Sequence, residues 1–196
     1  MRTLVAAFAR LCLALFGWRA AGARPAQSHY VLIAAPHTSN WDFPLMLLCA
    51  MALGLWPAWV GKHTLFRPPF GALMRALGGI PVDRSAASGM VEQLAARFAA
   101  LPALALVMPP EGTRGHAPHW KSGFYHVACA AGVPIALGYL DYARKEGGIG
   151  TLMQPGGDLR ADMDVIRAFY AGIRGRHPEQ QGPVRLPAED RPAPPG

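Results

Sequence analysis

Acidic residues are scarce in this sequence, above all in its first 82 residues, where Asp42 is the only carboxylate beside seven Arg or Lys. Over the whole chain, 19 basic residues outnumber 12 acidic ones, so the net charge is +7. Such an excess indicates an anionic partner: nucleic acid, an anionic membrane or a phosphorylated substrate. The sequence has no nucleic-acid-binding motif and no run of five basic residues, which favours a membrane or a phosphate over nucleic acid.

Cysteine is also scarce, since the chain has only three, and they are widely separated. No close pair begins a zinc site or a redox motif. Cys12, Cys49 and Cys129 are therefore expected to be buried thiols of a protein from a reducing compartment. A length of 196 residues with 52% hydrophobic content predicts one well-buried domain.

The N-terminal residues 1–25 are predicted to form an amphipathic segment at a membrane interface. As a helix, this segment has one apolar side formed by Leu4, Phe8, Leu11, Leu15 and Trp18. A helix docked on the core is an alternative, whereas Arg10 argues against a secretory signal or a membrane span. Residues 43–61 also lack charge, but Gly54 and Pro57 favour a buried helix followed by a strand over a second possible span.

Apolar periodicity in the rest of the chain predicts an α/β fold, with residues 26–173 as a single domain. Its sheet is expected to be mixed, mostly parallel and flanked by helices. Strands are predicted at 30–35, 57–60, 79–82, 103–108, 133–140 and 151–154, the last as an edge strand. Helices are predicted at 42–53, 70–77, 87–100, 124–131 and 158–173. Six prolines among residues 174–196 predict a disordered tail.

His37 and Asp42 are the first candidates for chemistry. His37 directly follows a predicted strand, in the kind of connection where α/β sheets build their sites. Asp42 falls in the first turn of the next helix, from where it can accept one imidazole N–H and leave the other ring nitrogen basic. The alternative is that Asp42 only stabilises the helix N-terminus and that His37 is an ordinary loop residue.

A second polar segment, PPEGTRG at residues 109–115, follows the apolar strand LALVM. Its glycines permit close backbone approach, Thr113 offers a hydroxyl, and Arg114 has a guanidinium fork suited to a phosphate monoester. By itself, this segment is equally consistent with an ordinary turn.

In this order, the two segments resemble the paired signature of the glycerolipid acyltransferase family, which includes bacterial lysophosphatidic acid acyltransferases. The signature residues are HTSNWD at 37–42 and PEGTR at 110–114. Residues 61–85 resemble the family's middle block, while Lys121-Ser122-Gly123 and Val133-Pro134-Ile135 resemble its later motifs. The resemblance covers roughly residues 30–141 and implies a glycerolipid acyltransferase-like fold.

The resemblance implies transfer of a fatty acyl group from acyl-coenzyme A or acyl carrier protein to a hydroxyl of a lysophospholipid. The acceptor favoured is 1-acylglycerol-3-phosphate, which would yield phosphatidic acid. His37 would be the general base and Asp42 its orienting partner. Substrate-binding residues would be Glu111 (as a positioning residue), Gly112, Thr113, Arg114, Lys62 and Arg84. No bound cofactor and no metal is implied. Candidates for lining the acyl groove are Phe43, Leu47, Phe66 and Phe70.

A function on lipids would explain the excess of basic residues, because an anionic lipid surface would attract arginines near it. Peripheral attachment to the cytoplasmic face of the inner membrane is therefore expected, without nucleic acid. Gly115 stands where the family commonly has serine, which leaves the acceptor open, for example to an ornithine lipid. A non-catalytic lipid-binding protein of the same fold is a further alternative. A metal-dependent hydrolase using His37 lacks neighbouring ligands in the sequence.

Overall fold

A seven-stranded sheet lies between two layers of helices in the computed structural model, which describes residues 2–82 and 89–190. The strands are β1 (Arg19–Gly22), β2 (His29–Ala35), β3 (Ala58–Lys62), β4 (Gly79–Val82), β5 (Leu104–Met108), β6 (Ile135–Asp141) and β7 (Glu146–Met153). The helices are α1 (Arg2–Leu15), α2 (Asp42–Ala52), α3 (Gly71–Ala76), α4 (Met90–Ala100), α5 (Gly123–Ala131) and α6 (Leu159–Tyr170). Short 3₁₀ helices cover His63–Phe66, Pro178–Gln180 and Pro187–Asp190.

The strands are arranged in the order β1-β7-β6-β2-β5-β3-β4, and all neighbours are parallel except β6 and β7. The predicted single α/β domain with a mixed, mostly parallel sheet is confirmed. Strand β2 is central and its sequence HYVLIAA is continuously apolar after the histidine, as expected of a strand covered on both faces. Ile33 of β2 lies opposite Met108 of β5, so the connections that follow these two strands leave the sheet side by side.

Alternate side chains of β2 enter two different cores. Val31 and Ile33 pack with α4, α5 and α6 on one face of the sheet. Tyr30 and Leu32 pack on the other face, towards α2 and the 3₁₀ helix at His63–Phe66. Helix α1 covers α2 on this second face.

Helix α1 docks through small and medium side chains and leaves its large apolar ones outside. Ala9 and Leu13 are buried against α2. The exposed side chains are Leu4, Val5, Phe8, Leu11, Leu15 and Phe16. Trp18, which was predicted on the same face as Leu4, Phe8, Leu11 and Leu15, is instead buried. No helix within residues 2–82 or 89–190 is long and apolar enough to cross a bilayer.

Two segments differ from the sequence-based expectation. Residues 19–22, assigned to the membrane-interface segment, form the edge strand β1, because Gly17 with φ 71° ends the preceding helix and β7 offers a partner. Residues 151–154 were predicted as an edge strand, but β7 is longer and lies between β1 and β6.

The predicted disordered tail is wrong for residues 174–190, which pack against the domain. Leu186 is fully buried in the core, Arg167 of α6 forms an ion pair with Glu189, and the Gln181 amide donates to the Ile173 carbonyl. The composition failed as a guide because a few anchoring side chains suffice to order a proline-rich segment. Residues 191–196 lie outside the described part of the chain.

Candidate active site

The connection from β2 to α2 brings the His37 and Asp42 side chains together. His37 Nδ1 lies 3.1 Å from Asp42 Oδ2, and the same oxygen accepts the backbone N–H groups of Thr38 and Ser39 at 2.8 Å each. Asp42 is 4% exposed, whereas the His37 side chain is 23% exposed. This arrangement suits an imidazole that donates from Nδ1 to a buried carboxylate and keeps a lone pair on Nε2.

The second oxygen of Asp42 is bound by a residue that the sequence did not reveal. The Tyr142 hydroxyl donates to Asp42 Oδ1 at 2.7 Å. Tyr142 lies in the turn between β6 and β7, 100 residues further along the chain. No local pattern marks this tyrosine, because its importance comes only from the strand order that places β6 beside β2.

Glu111 connects the β5 loop to the histidine. Its Oε1 accepts the His37 backbone N–H at 3.0 Å, which is possible because β2 and β5 end side by side. Glu111 is buried, and this desolvation raises the pKa of its carboxyl group, while the bond from His37 acts in the opposite direction. The side chain thus braces the backbone of the histidine loop.

The rest of the 109–115 loop surrounds an open approach to the site. Gly112 has φ 68°, and a Cβ there would lie 2.9 Å from Lys121 Cε, so the lysine stem packs closely across it. Thr113 and Arg114 are exposed at the surface. Lys121 is therefore a further cation beside this loop, and the sequence analysis did not assign it a role in substrate binding.

A cavity of about 790 Å³ lies between α2, the sheet and these loops. His37 and Asp42 form part of its wall, and Lys62, Gly112, Thr113 and Arg114 line it as well. Its remaining lining is largely apolar and includes Phe43, Met46, Ala50, Leu53 and Ile149. One chamber therefore combines an imidazole, two basic side chains and an apolar interior.

Only one of the four predicted groove residues lines this cavity. Phe43 does, whereas Leu47 is buried away from the lining, Phe66 packs in the core, and Phe70 is exposed. Periodicity identified these side chains as apolar, but their direction depends on packing. Cys49 also lines the cavity, and burial raises the pKa of its thiol to about 12.

The C-terminal segment that follows α6 covers the histidine loop. The His177 N–H donates to Thr38 Oγ1 at 3.1 Å, and a Cβ on Gly175 would lie 2.7 Å from the same oxygen. The Arg176 guanidinium lies over the Trp41 ring, 5.8 Å from its centroid. Sequence reasoning missed this part of the site because it interpreted the segment as disordered.

The structure thus joins His37, Asp42 and Glu111 by hydrogen bonds. The other described substrate-binding candidates, Lys62, Gly112, Thr113 and Arg114, line one cavity. Arg84 lies outside the described residues. Within residues 2–82 and 89–190, no three His, Cys, Asp or Glu side chains form a group that could hold a metal ion. The three cysteines are free. Cys49 is buried as expected, but Cys12 is only half-buried, and Cys129 is exposed because its position on α5 faces away from the core.

Comparison with known proteins matches this architecture. The sequence model of the family described as Acyltransferase matches residues 19–136. A similar solved structure is that of the 1-acyl-sn-glycerophosphate (LPA) acyltransferase PlsC from Thermotoga maritima. Its TM-score is 0.62, with 17% sequence identity, and the alignment covers 87% of this chain and 78% of that chain. At this identity, the likeness shows a shared fold. None of the curated protein sequences matches significantly.

The family match covers more than half of the chain, and its range includes both polar segments, residues 37–42 and 110–114, that meet at the cavity. Fold, site geometry and family match agree. This chain belongs to the acyltransferase family.

Proposed function

We propose that this protein transfers a fatty acyl group from an acyl thioester to a hydroxyl of a lysophospholipid, with 1-acylglycerol-3-phosphate as the favoured acceptor. The observation that carries the proposal is the contact of His37 Nδ1 with buried Asp42 in the wall of a large, mostly apolar cavity. The similarity to a solved LPA acyltransferase supports the choice of acceptor.

In the proposed reaction, His37 Nε2 takes the proton of the acceptor hydroxyl as its oxygen attacks the thioester carbonyl. The tetrahedral intermediate then collapses, the C–S bond breaks, and the imidazolium returns the proton to the leaving thiolate. Asp42 fixes the ring and stabilises its positive charge. A positioned base of this kind contributes about 10² to 10⁴ in rate. The donor is acyl-coenzyme A or acyl carrier protein, and the apolar cavity would hold its chain.

The acceptor phosphate would lie at the basic mouth of the cavity. Arg114 offers a bidentate fork, and Lys62 contributes a second positive charge from the end of β3. Glu111 is less suited to direct contact with a phosphate, because it is buried and already holds the His37 backbone. Its proposed role is to position the loop that carries Arg114.

The proposal includes peripheral attachment to an anionic membrane, for which the cytoplasmic face of the inner membrane is the expected location. Helix α1 lies on the same face of the sheet as α2 and the cavity. Its exposed leucines and phenylalanines form an apolar surface of the kind that inserts into lipid headgroups, and the net charge of +7 adds attraction.

The test is release of free thiol from acyl-coenzyme A and from acyl carrier protein in the presence of lysophosphatidic acid. We expect His37→Ala to reduce kcat by 10²-fold or more, because the base is lost. Arg114→Ala should mainly raise the acceptor KM, because it removes phosphate binding. Matched controls are His126→Ala and Arg97→Ala, which change exposed side chains on α5 and α4, across the sheet from the cavity.

Turnover that survives His37→Ala would refute the proposed base. Activity only with a phosphate-free acceptor, such as an ornithine lipid, would redirect the assignment to another lipid acyltransferase. Lipid binding without any thiol release would indicate a non-catalytic lipid-binding protein.

A further inference from the structure

Tyr142 occupies a place in the site that neither its sequence context nor the family match reveals. It lies beyond residues 19–136, in the turn between β6 and β7. Its hydroxyl nevertheless donates to Asp42 Oδ1 at 2.7 Å. Burial and the bond to Asp42 both raise the pKa of this phenol and so favour its protonated, hydrogen-bond-donating form, although Arg176 acts in the opposite direction.

The bond from Tyr142 provides a hydrogen-bond donor for Asp42 Oδ1, whereas the other carboxylate oxygen already has three partners. Asp42 Oδ2 is shared by the His37 ring and two backbone N–H groups. These donors lie on one oxygen and leave rotation of the carboxylate plane unrestrained from the Oδ1 side. A short bond at Oδ1 fixes that plane, and with it the direction in which Oδ2 faces the imidazole.

The Tyr142 ring is in turn held by the segment that joins α1 to β1. Trp18 packs edge-to-face on it with 4.8 Å between ring centroids and 84° between ring planes. The Arg19 N–H donates to the Lys145 carbonyl at 3.0 Å, and the Arg19 side chain forms an ion pair with Glu146. The β6–β7 turn is thereby fastened to the end of α1.

We propose that Tyr142 is a positioning residue that fixes Asp42 and thereby His37, and that Trp18 at the end of α1 holds Tyr142 in place. The kinetic consequences rest on the proposed function. The anchoring itself is a property of the folded chain and is measurable without turnover. In this arrangement, the end of α1 is connected to the His37 imidazole through Trp18, Tyr142 and Asp42, each in contact with the next.

The kinetic experiment compares Tyr142→Phe with Tyr125→Phe. Tyr125 is a matched control, because its hydroxyl also donates to a buried carboxylate, Asp162 Oδ2 at 2.8 Å, but on the opposite face of the sheet. Tyr142→Phe should lower kcat roughly tenfold with little change in either KM, since a charge-assisted bond that orients the base is lost. Tyr125→Phe should leave kcat unchanged. Equal kcat values for the two variants would overturn the proposal.

A second readout does not depend on turnover. Nitrogen-15 NMR of the His37 ring, assigned with His37→Ala, reports which ring nitrogen carries the proton at neutral pH. The wild type and Tyr125→Phe should show the Nδ1–H form, whereas Tyr142→Phe should show a mixture of both forms. This change in a protein without acyl transfer would uphold the anchoring and refute only the proposed function. An unchanged ring signal in Tyr142→Phe would overturn the anchoring.

The contribution of Trp18 is tested by a double-variant cycle. Trp18→Leu keeps apolar bulk but loses the ring contact, and it should reproduce part of the Tyr142→Phe effect on kcat and on the His37 signal. If Trp18 acts through Tyr142, the double variant should be no slower than Tyr142→Phe alone. Losses that multiply in the double variant would show that Trp18 acts by another route and refute this part of the proposal.

Discussion

The outer surface of α1 provides a quantitative test of membrane attachment. Phe8 and Leu11 are 65% and 59% exposed, so substituting them leaves the packing of α1 on α2 intact. Full burial of such a side chain contributes about 1.5–3 kcal/mol, and the exposed share of each therefore contributes about 1–2 kcal/mol on entering lipid. Replacing both with glutamine, which has good helix propensity, should weaken partitioning by about 2–4 kcal/mol.

A free-energy change of this size corresponds to a loss of roughly 30-fold to several hundred-fold in vesicle binding. Flotation with phosphatidylglycerol vesicles measures it, and circular dichroism verifies that the helix persists. Val165→Gln is the matched control, because Val165 is 48% exposed on α6, across the sheet from α1. If the Phe8 and Leu11 double variant floats as well as this control, α1 is not the lipid-binding surface.

Two further predictions concern the loops around His37. Gly175→Ala should reduce activity at least several-fold, because its Cβ would lie 2.7 Å from Thr38 Oγ1. Gly172→Ala is the control and should leave activity unchanged, because no atom lies within 4 Å of its Cβ. Thiol-release assays compare the two variants, and equal activity would contradict the role of the Gly175 contact. Glu111→Gln should retain a side-chain oxygen that accepts the His37 N–H, but its side chain cannot ionise. Since burial raises the pKa of Glu111, its ionisation makes the wild type lose stability as pH rises through that raised pKa. Urea unfolding at a series of pH values should therefore show that the free energy of unfolding of Glu111→Gln increases relative to that of the wild type as pH increases. A difference in unfolding free energy that does not change with pH would refute this prediction.

The alternation of strands and helices was predictable because it is encoded locally. Residues 30–35 and 103–108 are short apolar runs bounded by polar or turn-forming residues, and they became β2 and β5 with boundaries shifted by one residue. The two segments that follow them contain the residue types that acid–base and phosphate chemistry needs. Parallel strands place their carboxyl ends at one edge, so that the meeting of these segments also follows from the fold class.

Other features depend on partners far away in the sequence and were not predictable. Residues 19–22 have no strand signal of their own and form β1 only because β7, more than 120 residues later, offers its edge. The tail has a composition typical of disorder, yet Leu186 finds a fully buried position. In both cases the stabilising contacts are tertiary, whereas composition reports only average tendencies of a short segment.

The sequence by itself determined the α/β class, the pairing of His37 with Asp42 as candidates, and the basic character of the chain. Each of these is expressed by residue types within a few positions of one another. Only the tertiary structure decided which apolar side chains line the cavity and which residue donates a hydrogen bond to the second oxygen of the Asp42 carboxylate. Tyr142 reaches Asp42 across 100 residues of sequence, because β6 lies beside β2 and turns its end towards the histidine loop. Strand order, which no local window contains, decides such contacts.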